Sequence, residues 1–136
     1  MPNSCLICER ITPKYIFQAM HKIQKQENTY LATFNQITNK QIHQVCVETC
    51  KIINEADKIK GRSLFCGRNK GAVTSAITYA VCFHLKIPLS QRAIAEGFEV
   101  TECTTRNNFK RLHAQFPGIL YRISLIPKLP KEEDKS

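Results

Sequence analysis

The stretch Gly71–Leu85, GAVTSAITYAVCFHL, decides the fold of this chain. These 15 consecutive residues contain no Asp, Glu, Lys or Arg, whereas 23% of the chain is charged. Such a segment has no ordinary solvated face, and its small residues Ala72, Ser75, Ala76 and Ala80 allow neighbouring helices to approach closely. The run is also too short to span a bilayer. We therefore predict one helix over 71–85, with at least about two-thirds of its side chains buried by helices before and after it.

Length and composition restrict what surrounds that helix. A chain of 136 residues is long enough for one domain with its own core. It has seven Cys, and its N-terminus, MPNSCLICER, lacks the basic and apolar regions of a signal peptide. We therefore interpret the thiols as reduced, the protein as intracellular and membrane association as absent. The net charge of +9 indicates a polyanionic partner, most often nucleic acid.

Cys5-x-x-Cys8 is the first candidate metal motif. A structural zinc site needs four ligands, and no second CxxC or close His pair follows. His21, or Cys46 and Cys50, would complete the site only through the tertiary fold. We therefore predict no metal site, and we expect helical circular dichroism to be indifferent to EDTA and to reductant. Loss of the helical signal with EDTA would show that Cys5 and Cys8 bind zinc.

Helix-start signals precede the central stretch. Thr12 followed by Pro13 predicts an N-cap with proline at the first helical position. Thr38 with Gln41 predicts a capping box and a second helix, which Gly61 would end. No alternation typical of strands occurs before residue 118. The sequence therefore predicts an all-α fold.

The segment 90–112, SQRAIAEGFEVTECTTRNNFKRL, has the layout of a helix-turn-helix. Ser90 and Thr101 would cap two helices separated by a tight turn. On the second helix, one face would pack and the opposite face would point outward. The outward residues are Cys103, Arg106, Asn107 and Lys110. Such side chains suit base edges and phosphates in a DNA major groove, although the same pattern also fits an ordinary solvated helix face.

Three strings carry a resemblance to a known family: LFCGRNKG at 64–71, QRAIAE at 91–96 and VTECTTRN at 100–107. With the Ala-rich helix between them, they resemble the second cyclin-like repeat of transcription factor IIB and its archaeal counterparts. The resemblance covers 11 to about 116. It implies a single five-helix cyclin-like repeat over 11–117, with the helix-turn-helix at 90–116. Residues 1–10 would then be an N-terminal segment or inter-repeat linker, and 118–136 a C-terminal tail.

The resemblance also implies a function in transcription initiation. The domain would bind double-stranded promoter DNA upstream of the TATA element, together with TATA-binding protein and RNA polymerase, without a cofactor. Cys103 and Arg106 stand where the family reads DNA, and Lys110 stands at a neighbouring basic position. The location would be the nucleus in a eukaryote, and the cytoplasm in an archaeon or a cytoplasmic virus.

Further DNA-binding candidates follow from chemistry. Thr101, Thr104 and Asn107 offer groups for phosphates or base edges. Arg68 and Lys70 open the central helix, where backbone amides and two cations suit a phosphate.

Three positions depart from the family pattern. Cys103 replaces a Val, so the base preference can differ. Glu99 replaces a turn glycine, and it would cost about 1 kcal/mol if its backbone is left-handed. Thr105 replaces a core Ile, so its buried hydroxyl would need a partner.

Two other classes of function remain open. A cyclin-like protein-protein docking module without DNA readout would use the same fold but needs an apolar docking surface. An enzyme is not predicted, because no Cys or His lies in a recognisable activating frame and no phosphate-binding Gly motif is present. The residues also leave open whether the chain is a fragment of a two-repeat protein or a minimal divergent member of the family.

Overall fold

A computed structural model describes residues 12–33, 36–59 and 69–127, and all the regular secondary structure in these ranges is helical. The all-α prediction is confirmed for this part of the chain. The helices, numbered in chain order, are α1 (Pro13–Glu27), α2 (Asn39–Ile59), α3 (Lys70–His84), α4 (Gln91–Gly97), α5 (Glu102–Gln115) and α6 (Pro117–Ser124). No helix in the described ranges combines the length and apolar character needed to cross a membrane.

The predicted helix starts occur where the capping residues stand. Thr12 Oγ1 accepts a hydrogen bond from the Tyr15 amide, and Pro13 is the first residue of α1. At α2, the Gln41 amide donates to Thr38 Oγ1, while the Thr38 amide donates to Gln41 Oε1. This reciprocal pair is the predicted capping box. The predicted end of α2 at Gly61 lies outside the described residues.

Helix α3 is the central element. It contacts α2, α4, α5 and α6, and 11 of its residues are buried. The prediction of an enclosed helix is therefore confirmed. Phe83 departs from the pattern, because its side chain is 73% exposed near the end of α3.

The sixth helix corrects the expectation of a tail from residue 118. Pro117 supplies the first helical position of α6, and Ile119 and Ile123 place one face of the helix in the core. Arg122 of α6 also forms an ion pair with Glu55 of α2. The described residues thus contain six helices, compared with the five that the resemblance implies.

Buried hydroxyls join α3 to α5. Thr105 is fully buried, as predicted, and its Oγ1 lies 2.8 Å from Ser75 Oγ. Ser75 Oγ also donates to the Ala72 carbonyl at 2.9 Å. Since the single Ser75 hydroxyl hydrogen is used there, Thr105 is the donor in the pair. The partner that Thr105 needs is therefore Ser75.

Removing the Ser75 hydroxyl and removing the Thr105 hydroxyl should lower the free energy of unfolding by different amounts. Ser75→Ala should lower the free energy of unfolding by about 1–3 kcal/mol, because the buried Thr105 donor loses its acceptor. Thr105→Val should cost less, about 1 kcal/mol or below, because Ser75 keeps its bond to the Ala72 carbonyl. Urea unfolding of both variants measures the difference. Equal losses would contradict the assigned donor direction.

Candidate nucleic-acid interface

Helices α4 and α5 are joined by a short turn, and a polar side chain caps each helix. Ser90 Oγ accepts from the Ala93 amide at 3.0 Å, and Thr101 Oγ1 accepts from the Thr104 amide at 3.1 Å. Both predicted caps are confirmed. These bonds satisfy amides that the first turn of a helix otherwise leaves open, so they fix where each helix begins.

The turn between α4 and α5 depends on a left-handed residue. Glu99 has a φ of 61°, and the Val100 amide donates to the Ala95 carbonyl at 2.9 Å. This is a helix-ending pattern in which glycine usually occupies the left-handed position. Lys22 of α1 forms an ion pair with Glu99 at 3.0 Å, although both side chains are largely exposed. The condition for the predicted strain, a left-handed backbone at Glu99, is therefore met.

Glu99→Gly should raise the free energy of unfolding by about 1 kcal/mol, because glycine has no Cβ to oppose the left-handed conformation. The exposed ion pair with Lys22 offers little to offset this gain. Glu99→Gln is the matched control, because it removes the charge and keeps the strain. Urea unfolding should show Glu99→Gly above both the control and the parent protein. A Gly variant no more stable than the Gln variant would refute the strain argument.

Four polar side chains share the outward face of α5, as predicted. Cys103, Asn107 and Lys110 are exposed and Arg106 is half-buried. We call these residues the outer face of α5. The Asn107 amide donates to Cys103 Sγ at 3.5 Å, which uses one of its two hydrogens and leaves Oδ1 and the second hydrogen available.

The two cations of the outer face have no acidic partner within the described ranges. Two other arginines are paired: Arg92 with Glu96 and Arg122 with Glu55. The sequence 103–127 also contains no Asp or Glu. The outer face of α5 is therefore a positively charged surface whose cations remain available for an anionic ligand.

The remaining predicted DNA-binding residues are not part of the outer face of α5. Thr101 is exposed, and its Oγ1 donates to Thr104 Oγ1 at 2.8 Å. Thr104 therefore keeps its own hydroxyl hydrogen for another acceptor. Lys70 is exposed at the start of α3, but its Nζ lies 4.5 Å from the ring centroid of Tyr15 rather than on the outer face. Arg68 lies outside the described residues.

The N-terminus of α3 offers less to a phosphate than predicted. Asn69 Oδ1 accepts from the Ala72 amide at 3.1 Å, so one of the open amides is already capped. A Cβ at Gly71 would lie 3.1 Å from the Phe98 carbonyl oxygen, which shows how closely the turn approaches this helix end. A phosphate would have to displace this cap to reach the Ala72 amide.

The described cysteines form no metal site. No group of three or more His, Cys, Asp or Glu side chains in the described ranges could hold a metal ion. Burial raises the pKa of the Cys46 thiol to about 11 and that of Cys82 to about 12, with a neighbouring cysteine adding to each shift. Both thiols therefore stay protonated and unreactive at neutral pH. Cys5 and Cys8 lie outside the described residues.

Sequence reasoning missed Asn108. This residue is buried beside Thr105, and its Nδ2 donates to the Thr104 carbonyl at 2.9 Å. The helical spacing from Thr105 to Leu112 contains position 108, but a polar residue gives no apolar signal there. Asn108 thus belongs to the packing face, and only Asn107 of the two amides faces outward.

Comparisons of the chain with protein-family models, with curated proteins and with solved structures found no match.

Proposed function

We propose that this protein is a transcription factor IIB-like initiation factor whose α4–turn–α5 unit acts as a helix-turn-helix on promoter DNA. In this proposal the helices form a cyclin-like repeat, and α5 is the recognition helix. The observation that carries the proposal is the outer face of α5, where Arg106 and Lys110 have no acidic partner in the described ranges and Asn107 is exposed beside them. A helix presenting such a face fits the major groove of a duplex.

Each side chain of the outer face suits a different part of the duplex. Arg106 can donate two hydrogen bonds to guanine O6 and N7. Asn107 keeps a carbonyl oxygen and one amide hydrogen, which is the pair of groups needed for adenine N6 and N7. Cys103 can contact a thymine methyl group through its sulfur. Together these contacts would read sequence rather than charge alone.

Phosphate contacts would come from the edges of α5. Lys110 is one turn beyond Arg106, where a helix crossing the groove moves toward the backbone. Thr104 retains a hydroxyl hydrogen that can be donated to a phosphate oxygen, whereas Thr101 uses its own on Thr104. Lys70 would need to leave the Tyr15 ring to take part. The phosphate contacts would set the register in which the bases are read.

The resemblance to transcription factor IIB adds the partners to this proposal. TATA-binding protein would present the DNA, the recognition helix would contact the duplex upstream of the TATA element, and RNA polymerase would join the assembly. The net charge of +9 suits this polyanionic surrounding.

A gel-shift experiment tests the proposal. TATA-containing duplexes with random upstream flanks are bound with and without TATA-binding protein, and the retained flanks are sequenced. We expect retention to depend on TATA-binding protein and the retained flanks to share a short upstream sequence. Retention of random flanks with no shared sequence would refute sequence reading.

A further inference from the structure

Four aromatic rings form a continuous row from α3 to α5. The distance between ring centroids is 6.3 Å for Phe83 and Tyr79, 5.6 Å for Tyr79 and Phe109, and 6.4 Å for Phe109 and His113. We call these four residues the aromatic row. The row joins two helices that run side by side in the same direction, because Ser75 meets Thr105 one turn earlier.

Both ends of the aromatic row reach the surface. Phe83 is 73% exposed and His113 is exposed, whereas Tyr79 and Phe109 are half-buried between them. An open depression lined by Phe83, Lys86, Ile87, Pro88 and Leu89 adjoins the Phe83 ring. The core of the fold gains little from an exposed phenyl ring, since most of the ring stays in water.

The surroundings of the aromatic row carry positive charge. Lys86 follows Phe83 by three residues and borders the depression, and Lys110 stands between Phe109 and His113 in sequence. Neither lysine forms an ion pair with any described residue. The segments 70–95 and 103–127, which contain the whole row, have no Asp or Glu. A ligand of this surface should therefore combine flat apolar groups with a chain of negative charges.

We propose that the aromatic row binds single-stranded nucleic acid, with a base stacked on Phe83 and the sugar-phosphate chain next to Lys86 and Lys110. Stacking on exposed aromatic rings beside basic residues is how proteins bind unpaired strands without a sequence code. A duplex does not offer this contact, because its bases are already stacked on one another. The site shares Lys110 with the outer face of α5, but stacking on Phe83 does not rest on duplex reading there.

Fluorescence anisotropy with two labelled probes tests the site. The first probe is a thymidine oligonucleotide of about 15 nucleotides, and the second is an abasic strand of the same length and charge. The thymidine strand should bind more tightly. Phe83→Ala should weaken its binding at least about fivefold and leave binding of the abasic strand unchanged. Lys86→Ala should weaken both strands and reduce the salt dependence of binding.

Tyr30→Ala is the matched control, because Tyr30 is 79% exposed and lies outside the aromatic row. It should leave binding of both strands unchanged. Circular dichroism should show that Phe83→Ala folds normally, as expected for an exposed side chain. The proposal is overturned if Phe83→Ala behaves as Tyr30→Ala does, or if the abasic strand binds as tightly as the thymidine strand.

Two further measurements separate the site from its rivals. A peptide of alternating Asp and Phe that binds more tightly than the thymidine strand, and depends on Phe83, would make this a protein-docking surface and overturn the proposal. Phe83→Ala should leave unchanged the retention of duplex DNA in the gel-shift with TATA-binding protein. In the parent protein, duplex reading without tighter binding of the thymidine strand would show that the single-strand proposal has failed. Tight binding of the thymidine strand without duplex reading would show that the duplex proposal has failed.

Discussion

Gly97→Ala should lower the free energy of unfolding by about 1–3 kcal/mol. A Cβ at Gly97 would lie 2.4 Å from both Cγ1 and Cδ1 of Ile23, and 3.0 Å from the Ala19 carbonyl oxygen. Ile23 is itself buried in the core, so α4 and α1 would have to separate or Ile23 would have to leave its position. Alanine is the better helix former, so propensity alone predicts the opposite sign. Urea unfolding measures the loss.

Gly118→Ala is the matched control for this prediction. A Cβ at Gly118, in the first turn of α6, meets no atom within 4 Å. The same chemical change should therefore be neutral or slightly stabilising there. Equal unfolding free energies for the two alanine variants would contradict close packing of α4 on α1.

A double-mutant cycle identifies the clashing side chain. Ile23→Val removes one of the two atoms that the new methyl group would meet, and alone it should cost about 0.5–1.5 kcal/mol through the cavity it leaves. In the Gly97→Ala background it should cost less, with a coupling of at least about 0.5 kcal/mol. Additive losses would show that Cδ1 of Ile23 is not the atom that limits the approach.

Local signals explain how far the fold could be predicted from sequence. The caps at Thr12, Thr38, Ser90 and Thr101 depend on one side chain and an amide three residues later. Such contacts need no knowledge of the tertiary structure. The burial of α3 could also be predicted from the sequence. An unpaired charged side chain is costly to bury in a core, so a long segment without charged residues indicates a buried helix.

Other features depend on contacts between distant residues. The ion pair of Lys22 with Glu99 joins residues 77 positions apart, and nothing in the sequence around either residue predicts its partner. The exposure of the Phe83 side chain could not be predicted from its apolar segment, because it depends on how the neighbouring helices are arranged. Helix α6 did carry signals, in Pro117 and in the spacing of Ile119 and Ile123, but eight residues give too few turns to establish a period.

Substitutions on the outer face of α5 should separate base reading from phosphate binding. Arg106→Ala should cost roughly 1–3 kcal/mol of binding free energy on the preferred upstream flank and much less on a scrambled flank, because guanine recognition is lost. Lys110→Ala should weaken binding to both flanks alike and reduce the salt slope by about one, because one phosphate contact is lost. Titration of each variant on both flanks, at several salt concentrations with TATA-binding protein present, measures the two effects.

Lys40→Ala is the charge-matched control, because Lys40 is exposed on α2, away from the outer face of α5. It removes one positive charge, so it reports the general effect of lowering the net charge. A cyclin-like docking module without DNA readout predicts that Arg106→Ala and Lys110→Ala both match this control. If these two variants instead weaken binding identically on both flanks and by more than the control, then α5 binds DNA through charge and does not read it. Only loss of selectivity with Arg106→Ala, together with uniform weakening by Lys110→Ala, agrees with a recognition helix whose centre faces the bases and whose next turn faces the backbone.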